Sequence, residues 1–131
     1  MKQMVKILLL TLFIFNCSSV FPAPDTASLK EFSEKMNASL PEVYDHATKL
    51  MTTTVDNNNF NYHFVLNATK DEFKFAFPKV KTQILKTICS RSQERSILKN
   101  YKANIVYRYE SLKGETLGQF MVKPEHCMSK R

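Results

Sequence analysis

Three histidines and a scatter of acids are the side chains that could hold a metal ion in this chain. His46, His63 and His126 stand far apart, and the sequence contains neither an HExxH nor a CxxC spacing, the patterns by which many zinc sites are recognised. A metal site would need all three imidazoles to converge from separate segments. We expect no metal and no cofactor, and we interpret the histidines as surface or locally hydrogen-bonded side chains.

The sequence also lacks a motif for covalent catalysis. A nucleophilic serine, cysteine or threonine needs an oriented base beside it, and no serine stands in a GxSxG elbow. Only two glycines occur, so the sequence offers no glycine-rich phosphate-binding loop. We assign no catalytic residue and keep a small hydrolase as a minor alternative. The carboxylates that stand close together in the sequence are Glu31 with Glu34, Asp71 with Glu72, and Glu110 with Glu115. We interpret them as solvated charges or helix-end acids and not as an acid–base pair.

The N-terminus predicts export. Two lysines precede the apolar run at residues 7–15, and small or polar residues follow it. This is the pattern of a secretory signal peptide, and the run is too short to span a membrane. We place the signal peptide at residues 1–19 and expect a periplasmic or secreted protein.

Cys17 allows two kinds of processing. A cut after Ser19 puts small side chains at both recognition positions, Cys17 and Ser19, and removes the cysteine. Acylation of Cys17 would instead anchor the protein in the envelope, although Asn16 stands where such a cut prefers glycine, alanine or serine. Removal is the preferred interpretation.

Two cysteines remain after the leader. Small exported domains commonly depend on disulfides, so we predict a bridge between Cys89 and Cys127, with two unrelated thiols as the alternative. Closing this loop of about 39 residues would stabilise the fold by about 4 kcal/mol in the chain-entropy model. The predicted organisation is a flexible segment at 20–28, a single α+β domain at 29–127 and a tail at 128–131.

The chain is basic, with a formal net charge of +7. Residues 70–108 hold ten lysines and arginines against three acids, which could attract an acidic protein or a phospholipid surface. Export argues against nucleic acid, so we interpret the alternating tyrosines as core residues with hydroxyls at the rim, and not as a base-stacking platform. The candidate interaction patch comprises Lys79, Lys81, Lys86, Arg91, Arg95 and Lys99.

The first half of the chain predicts a helix and a hairpin. Apolar residues recur at steps of three and four over residues 29–40, which is typical of an amphipathic helix that covers a sheet. The β-branched run 49–56, the asparagines at 57–59 and the alternating run 60–67 predict a β-hairpin with one aromatic face.

A second helix is predicted over residues 78–89, where apolar residues keep helical spacing. Thr69 and Glu72 fit a capping box for an earlier start. Pro78 nevertheless favours a start at that residue, with 73–77 as an extended lead-in, because an interior proline breaks helices.

The remaining segments complete the predicted fold. The run SQERSILKN adds one or two helical turns that bury Ile97 and Leu98, and alternation over 101–110 and 116–123 predicts a second hairpin. The predicted fold is a two-layer α+β domain: a four-stranded antiparallel sheet of two hairpins, covered by two or three helices, with one disulfide.

The C-terminal run from ICSRSQERSILKN through the YRY strand and the glycine turn to PEHC resembles small, uncharacterised exported bacterial α+β domains with a helix-end cysteine and a C-terminal cysteine. The resemblance covers about 40 of the 131 residues, and its motifs are structural. It implies a periplasmic or secreted single domain with Cys89 bonded to Cys127, and it implies no activity.

These observations predict a non-catalytic exported module that binds a protein partner, such as an inhibitor or immunity factor. Contact with a membrane surface through the basic residues or an acylated Cys17 is a further possibility. The alternative function is a lipoprotein accessory, a pilotin-like chaperone of a secretion system anchored through Cys17.

Overall fold

The computed structural model describes residues 26–128. The predicted signal peptide, Cys17, residues 20–25 and residues 129–131 lie outside the described residues. None of the helices within the described range combines the length and apolar character that a membrane span requires. The elements are α1 (Thr26–Asn37), β1 (Glu42–Val43), β2 (Thr48–Asp56), β3 (Asn59–Leu66), α2 (Lys70–Thr87), α3 (Ser92–Lys99), β4 (Asn104–Ser111) and β5 (Thr116–Val122).

The sheet has five strands in the order β1-β2-β3-β4-β5, so the predicted four-stranded antiparallel arrangement is wrong in two details. Strand β1 pairs with β2, with Glu42 opposite Leu50, and two residues are too few to leave an alternating pattern in the sequence. The two hairpins meet through a parallel pair, with Asn59 of β3 beside Asn104 of β4. A helical crossover between neighbouring strands produces this parallel pairing.

Helix α1 begins at Thr26, ahead of the predicted start, so residues 26–28 are helical. It packs on β2, where a polar cluster anchors it. Ser33 Oγ lies 2.7 Å from Thr53 Oγ1, and Asn37 Oδ1 accepts a hydrogen bond from the Thr53 amide at 2.7 Å. These bonds fix α1 over the β2 side of the sheet.

Helix α2 begins directly after Thr69, so the predicted start at Pro78 is wrong. Thr69 Oγ1 accepts a hydrogen bond from the Glu72 amide at 3.2 Å, and the Glu72 carboxylate accepts one from the Thr69 amide at 2.9 Å. This capping box and the burial of Phe73 outweigh the cost of about 3 kcal/mol that an interior proline carries. The predicted extended lead-in would put Phe75 on the same face as Phe73, but in the helix Phe75 is 91% exposed.

Helix α3 agrees with the predicted helical turns, and Ile97 and Leu98 are fully buried. Strand β4 begins at Asn104, later than the predicted 101. Tyr101 lies in the connecting loop, and Lys102 has a positive φ of 52°, which is outside the β region and prevents the strand from starting earlier.

The core lies between the helices and one face of the sheet. Alternate residues of β3 and β4 point toward the helices, and the other face of the sheet, which we call the outer face, carries mostly polar side chains. The innermost apolar residues are Leu29, Leu50, Phe60, Tyr62, Ile88, Ile97, Leu98, Ala103, Ile105 and Val122.

The predicted disulfide is confirmed. Cys89 lies in the 3-10 turn Ile88–Ser90 after α2, Cys127 lies in the 3-10 turn Pro124–Cys127 after β5, and their Cα atoms are 5.3 Å apart. The bridge therefore ties the helical layer to the last strand.

Candidate functional site

A groove opens on the helix side of the sheet, between α2 and the segment 44–48 that leads from β1 into β2. Its cavity volume is about 650 Å³. Aromatic side chains of β3 and β4 form its floor, and the start of α3 contributes Arg91 and Glu94. We call it the tyrosine groove. Its floor consists of Tyr62, Phe64, Tyr107 and Tyr109, and α2 lines it with Glu72, Phe73, Ala76, Phe77, Val80 and Ile84.

Strand register builds the floor. Tyr107 of β4 lies opposite Tyr62 of β3 on one side and Phe120 of β5 on the other. The ring centroids of Tyr62 and Tyr107 are 5.4 Å apart, and the ring planes make an angle of 11°. For Tyr107 and Phe120 the centroid distance is 4.8 Å and the interplanar angle 14°. Aromatic pairs of this kind contribute about 0.5–1.5 kcal/mol beyond their area burial. The floor is therefore a preformed apolar surface.

Two hydroxyl groups of the floor have no hydrogen-bond partner within residues 26–128. Tyr62 is 1% exposed and Tyr107 is 4% exposed, and neither phenol oxygen bonds to another described residue. Removal from water raises the pKa of both phenols, and the nearby charge of Glu94 raises it further. A buried polar group without a partner costs about 1–3 kcal/mol, so these hydroxyls are suited to a ligand that supplies one.

Glu94 adds a buried charge to the groove. It stands in the first turn of α3 and is 8% exposed. Within residues 26–128, its carboxylate makes no ion pair or hydrogen bond through its side chain. Buried charges are normally paired. Arg91, which also lines the groove, is exposed, and its charge partly opposes the effect of Glu94 on the phenols.

This arrangement is suited to binding. An apolar, concave surface with a few polar groups at fixed positions is the usual form of a ligand site, in which the polar groups set orientation. Cys89 and Cys127 are bonded to each other, so neither is available as a nucleophile.

The three histidines are not brought together. His46 is exposed at the rim of the groove, His63 lies on the outer face with Nε2 2.8 Å from Thr54 Oγ1, and His126 Nε2 lies 2.8 Å from the Leu85 carbonyl. Among residues 26–128, no three His, Cys, Asp or Glu side chains are grouped to hold a metal ion.

The six predicted basic residues lie on α2, on α3 and at the residue just before α3. Lys79 and Lys86 fall on nearly the same side of α2, and Lys81 lies about 140–160° away around the helix, with its Nζ 5.8 Å from the centre of the Phe120 ring. Their role as an interaction patch stays a prediction. All six are exposed, and none forms an ion pair with a described carboxylate: Lys79, Lys81, Lys86, Arg91, Arg95 and Lys99.

A second depression, of about 680 Å³, lies on the other side of residues 45–48. Its described lining contains no phenylalanine or tyrosine and includes the exposed Val43, Met51 and Leu112. It lacks the unpartnered buried hydroxyls that mark the tyrosine groove, so we regard the groove as the candidate site.

Glu94 is a groove residue that was not among the predicted site residues. A signal was present, because Glu94 precedes Ile97 and Leu98 by three and four residues, and residues at this spacing share one face of a helix. An acid on the buried side of a predicted helical turn is unusual. The hydroxyls of Tyr62 and Tyr107 left no such signal, since alternation gives the face of a side chain and not the depth of its polar atom.

Comparison with known proteins gives structural similarity only. No family model matches the sequence, and no curated protein matches it significantly. A Pseudomonas aeruginosa protein described as secreted has a TM-score of 0.70 at 16% identity, covering 79% of this chain and 92% of that one. The type 2 secretion system pilotin EpsS of Vibrio vulnificus has a TM-score of 0.63 at 14% identity, covering 80% and 93%.

A third similar structure is the type II secretion system pilotin AspS of Vibrio cholerae, with a TM-score of 0.61 at 14% identity, covering 78% of this chain and 91% of that one. At these identities the likeness shows the fold, which is shared over most of each chain.

Proposed function

We propose that this protein is an exported, non-catalytic accessory protein that binds an apolar segment of a protein partner in the tyrosine groove, in a pilotin-like role within a secretion system. The observation that carries the proposal is the groove itself, an apolar concavity of about 650 Å³ over a stacked aromatic floor. Two proteins of similar fold are type II secretion system pilotins, which favours this role over an inhibitor or immunity factor.

The shape of the groove supports a helical occupant. Ala76, Val80 and Ile84 of α2 line it at steps of four residues, which gives an apolar stripe about 12 Å long at 1.5 Å per residue. Such a stripe matches about two turns of an amphipathic helix, whose apolar anchors recur at three and four residues. Phe73 and Phe77 of α2 add aromatic surface beside this stripe.

The proposed location follows from the leader. Export through the predicted signal peptide would place the groove in the periplasm or outside the cell, where a disulfide is stable. An acylated Cys17 would add a lipid anchor and would hold the domain at a membrane surface, the form that a pilotin-like lipoprotein accessory takes in this proposal.

Site-specific photo-crosslinking tests the proposal. A benzoylphenylalanine at Ala76, inside the groove, is compared with one at Gln119, an exposed residue on the outer face, in cells that export the full chain. We expect irradiation to attach one recurring protein to the Ala76 probe, through an apolar helical segment identified by mass spectrometry, and to leave the Gln119 probe unattached. Equal products from both positions, or none from Ala76, would contradict a groove-bound partner.

A further inference from the structure

The tyrosine groove has a polar end whose groups lack partners. The hydroxyls of Tyr62 and Tyr107 are buried without a hydrogen-bond partner among the described residues. Glu94, a residue only 8% exposed, makes no side-chain hydrogen bond or ion pair with a described residue. A carboxylate only accepts hydrogen bonds, and a phenol oxygen can accept them. Together these three groups offer acceptors to a donor that enters the groove.

The charge of the groove indicates what kind of donor fits. Among the described residues that line it, Asp45, Glu72 and Glu94 stand against one cation, Arg91, which gives a formal charge of −2 when histidine is counted as neutral. The whole chain carries +7. The groove is therefore an acidic concavity in a basic protein, and electrostatic complementarity favours a cationic group on the occupant.

We propose that the segment bound in the tyrosine groove carries a lysine or arginine side chain that enters at this end, where its charged group pairs with Glu94 and donates hydrogen bonds to the hydroxyls of Tyr62 and Tyr107. This inference rests on the proposed function, and it specifies the chemistry of the partner segment. An apolar helix with one basic residue among its anchors would satisfy both the floor and the polar end.

The energetic reason is that the basic group supplies what the unliganded groove lacks. Hydrogen bonds to charged groups are roughly twice as strong as those between neutral groups, so a basic group should raise the affinity at least about tenfold over a neutral one. A neutral side chain of similar length would leave Glu94 buried and unpaired, which is costly. The basic residue should therefore set specificity as well as affinity.

The test uses the purified exported protein and fluorescein-labelled amphipathic helical peptides. One groove-facing position, scanned along the apolar face, carries Lys, Met or Glu, and binding is followed by fluorescence anisotropy. We expect the best Lys peptide to bind at least about tenfold more tightly than its Met counterpart, and the Glu peptide to bind most weakly.

Substitutions in the protein separate the groups. Glu94→Gln should remove most of the preference for Lys over Met, because the Lys peptide loses its ion pair and the Met peptide no longer covers an unpaired charge. Tyr62→Phe and Tyr107→Phe should each reduce that preference without lowering the thermal midpoint. Glu110→Gln, which changes an exposed acid on the outer face, is the matched control and should bind like the unaltered protein.

The outcomes are distinguishable. Equal affinity for the Lys and Met peptides, or a Lys preference that survives Glu94→Gln, would overturn the inference and leave the groove as a binding site for apolar segments. Failure of every peptide to bind would overturn the inference together with the proposed function. If Glu94→Gln fails to fold, the two Tyr→Phe variants decide the question by the same preference.

Discussion

At the scale of single residues, Tyr62 and Tyr107 have an unusual combination of properties. Their rings pack in the aromatic floor, yet their hydroxyls are buried without a hydrogen-bond partner in the part of the chain that the structure describes. The alternation of β3 and β4 predicts core packing with hydroxyls at the rim, and the rings do face the core. The hydroxyls are nevertheless buried and do not lie at the rim, because the depth of a side chain depends on tertiary packing that the local pattern does not contain.

The buried tyrosines make the stability of the fold depend on pH in the alkaline range. Burial raises the pKa of Tyr62, Tyr107 and Tyr109 above the usual value of about 10. A raised pKa means that the folded state retains protons that the unfolded state loses, so this contribution to stability is present below about pH 10 and is lost as the pH rises further.

Alkaline titration checks this expectation. We expect the 295 nm absorbance of these three phenols to appear only together with loss of the native circular dichroism, and the urea midpoint to fall steadily above about pH 10. Tyr107→Phe should make that fall less steep. Ionisation of all the tyrosines with the native dichroism intact would show that the phenols are accessible, and would remove the basis for the unpartnered hydroxyls.

At the scale of elements, the contact of α2 with β5 depends on the absence of a side chain at Gly118. A Cβ atom there would lie 2.7 Å from Cε1 of Phe73, well inside the carbon contact distance of about 3.5–4.0 Å. The ring of Phe73 also stacks against Phe77 at 4.9 Å and lies 5.3 Å from Tyr109. The ring has neighbours on both sides, so it has little freedom to move away.

Gly118→Ala should therefore destabilise the protein by about 1–3 kcal/mol, the usual cost of overpacking a core. Urea unfolding measures the change, and Gln119→Ala on the outer face is the control. Combining Gly118→Ala with Phe73→Leu should cost less than the sum of the single changes, since the smaller side chain relieves the clash. An unchanged urea midpoint for Gly118→Ala would mean that α2 does not pack on β5 as described.

Local patterns predict the elements of this fold better than their boundaries and pairing. The capping box at Thr69 and Glu72 is visible in the sequence, but Pro78 has the stronger local signal, and the true start depends on burial of Phe73 against β5. The parallel pairing of β3 with β4 could not be predicted from the sequence either, because a strand shows the same alternation of apolar and polar residues whichever strand it pairs with. The groove lies over these two strands, so it could not be predicted before their pairing was known.

At the scale of the whole molecule, the candidate site and the predicted interaction surface carry opposite charges. The predicted interaction surface is the basic stretch, whose six residues lie on α2, on α3 and at the residue just before α3. The concavity with unsatisfied groups is acidic. The disulfide between Cys89 and Cys127 joins the end of α2 to the segment after β5, and so helps to hold one wall of the groove against the sheet that forms its floor.

The most direct test of the groove is capture of the partner from the cell envelope by immobilised protein. We compare Ala76→Trp, which fills the groove, with the combined reversal Lys81→Glu, Lys86→Glu and Arg95→Glu, and with Gln119→Trp as the control for an added indole. We predict that Ala76→Trp lowers capture at least about tenfold, while the charge reversal and the control keep most of it. Capture that survives Ala76→Trp but is lost on charge reversal would contradict the account.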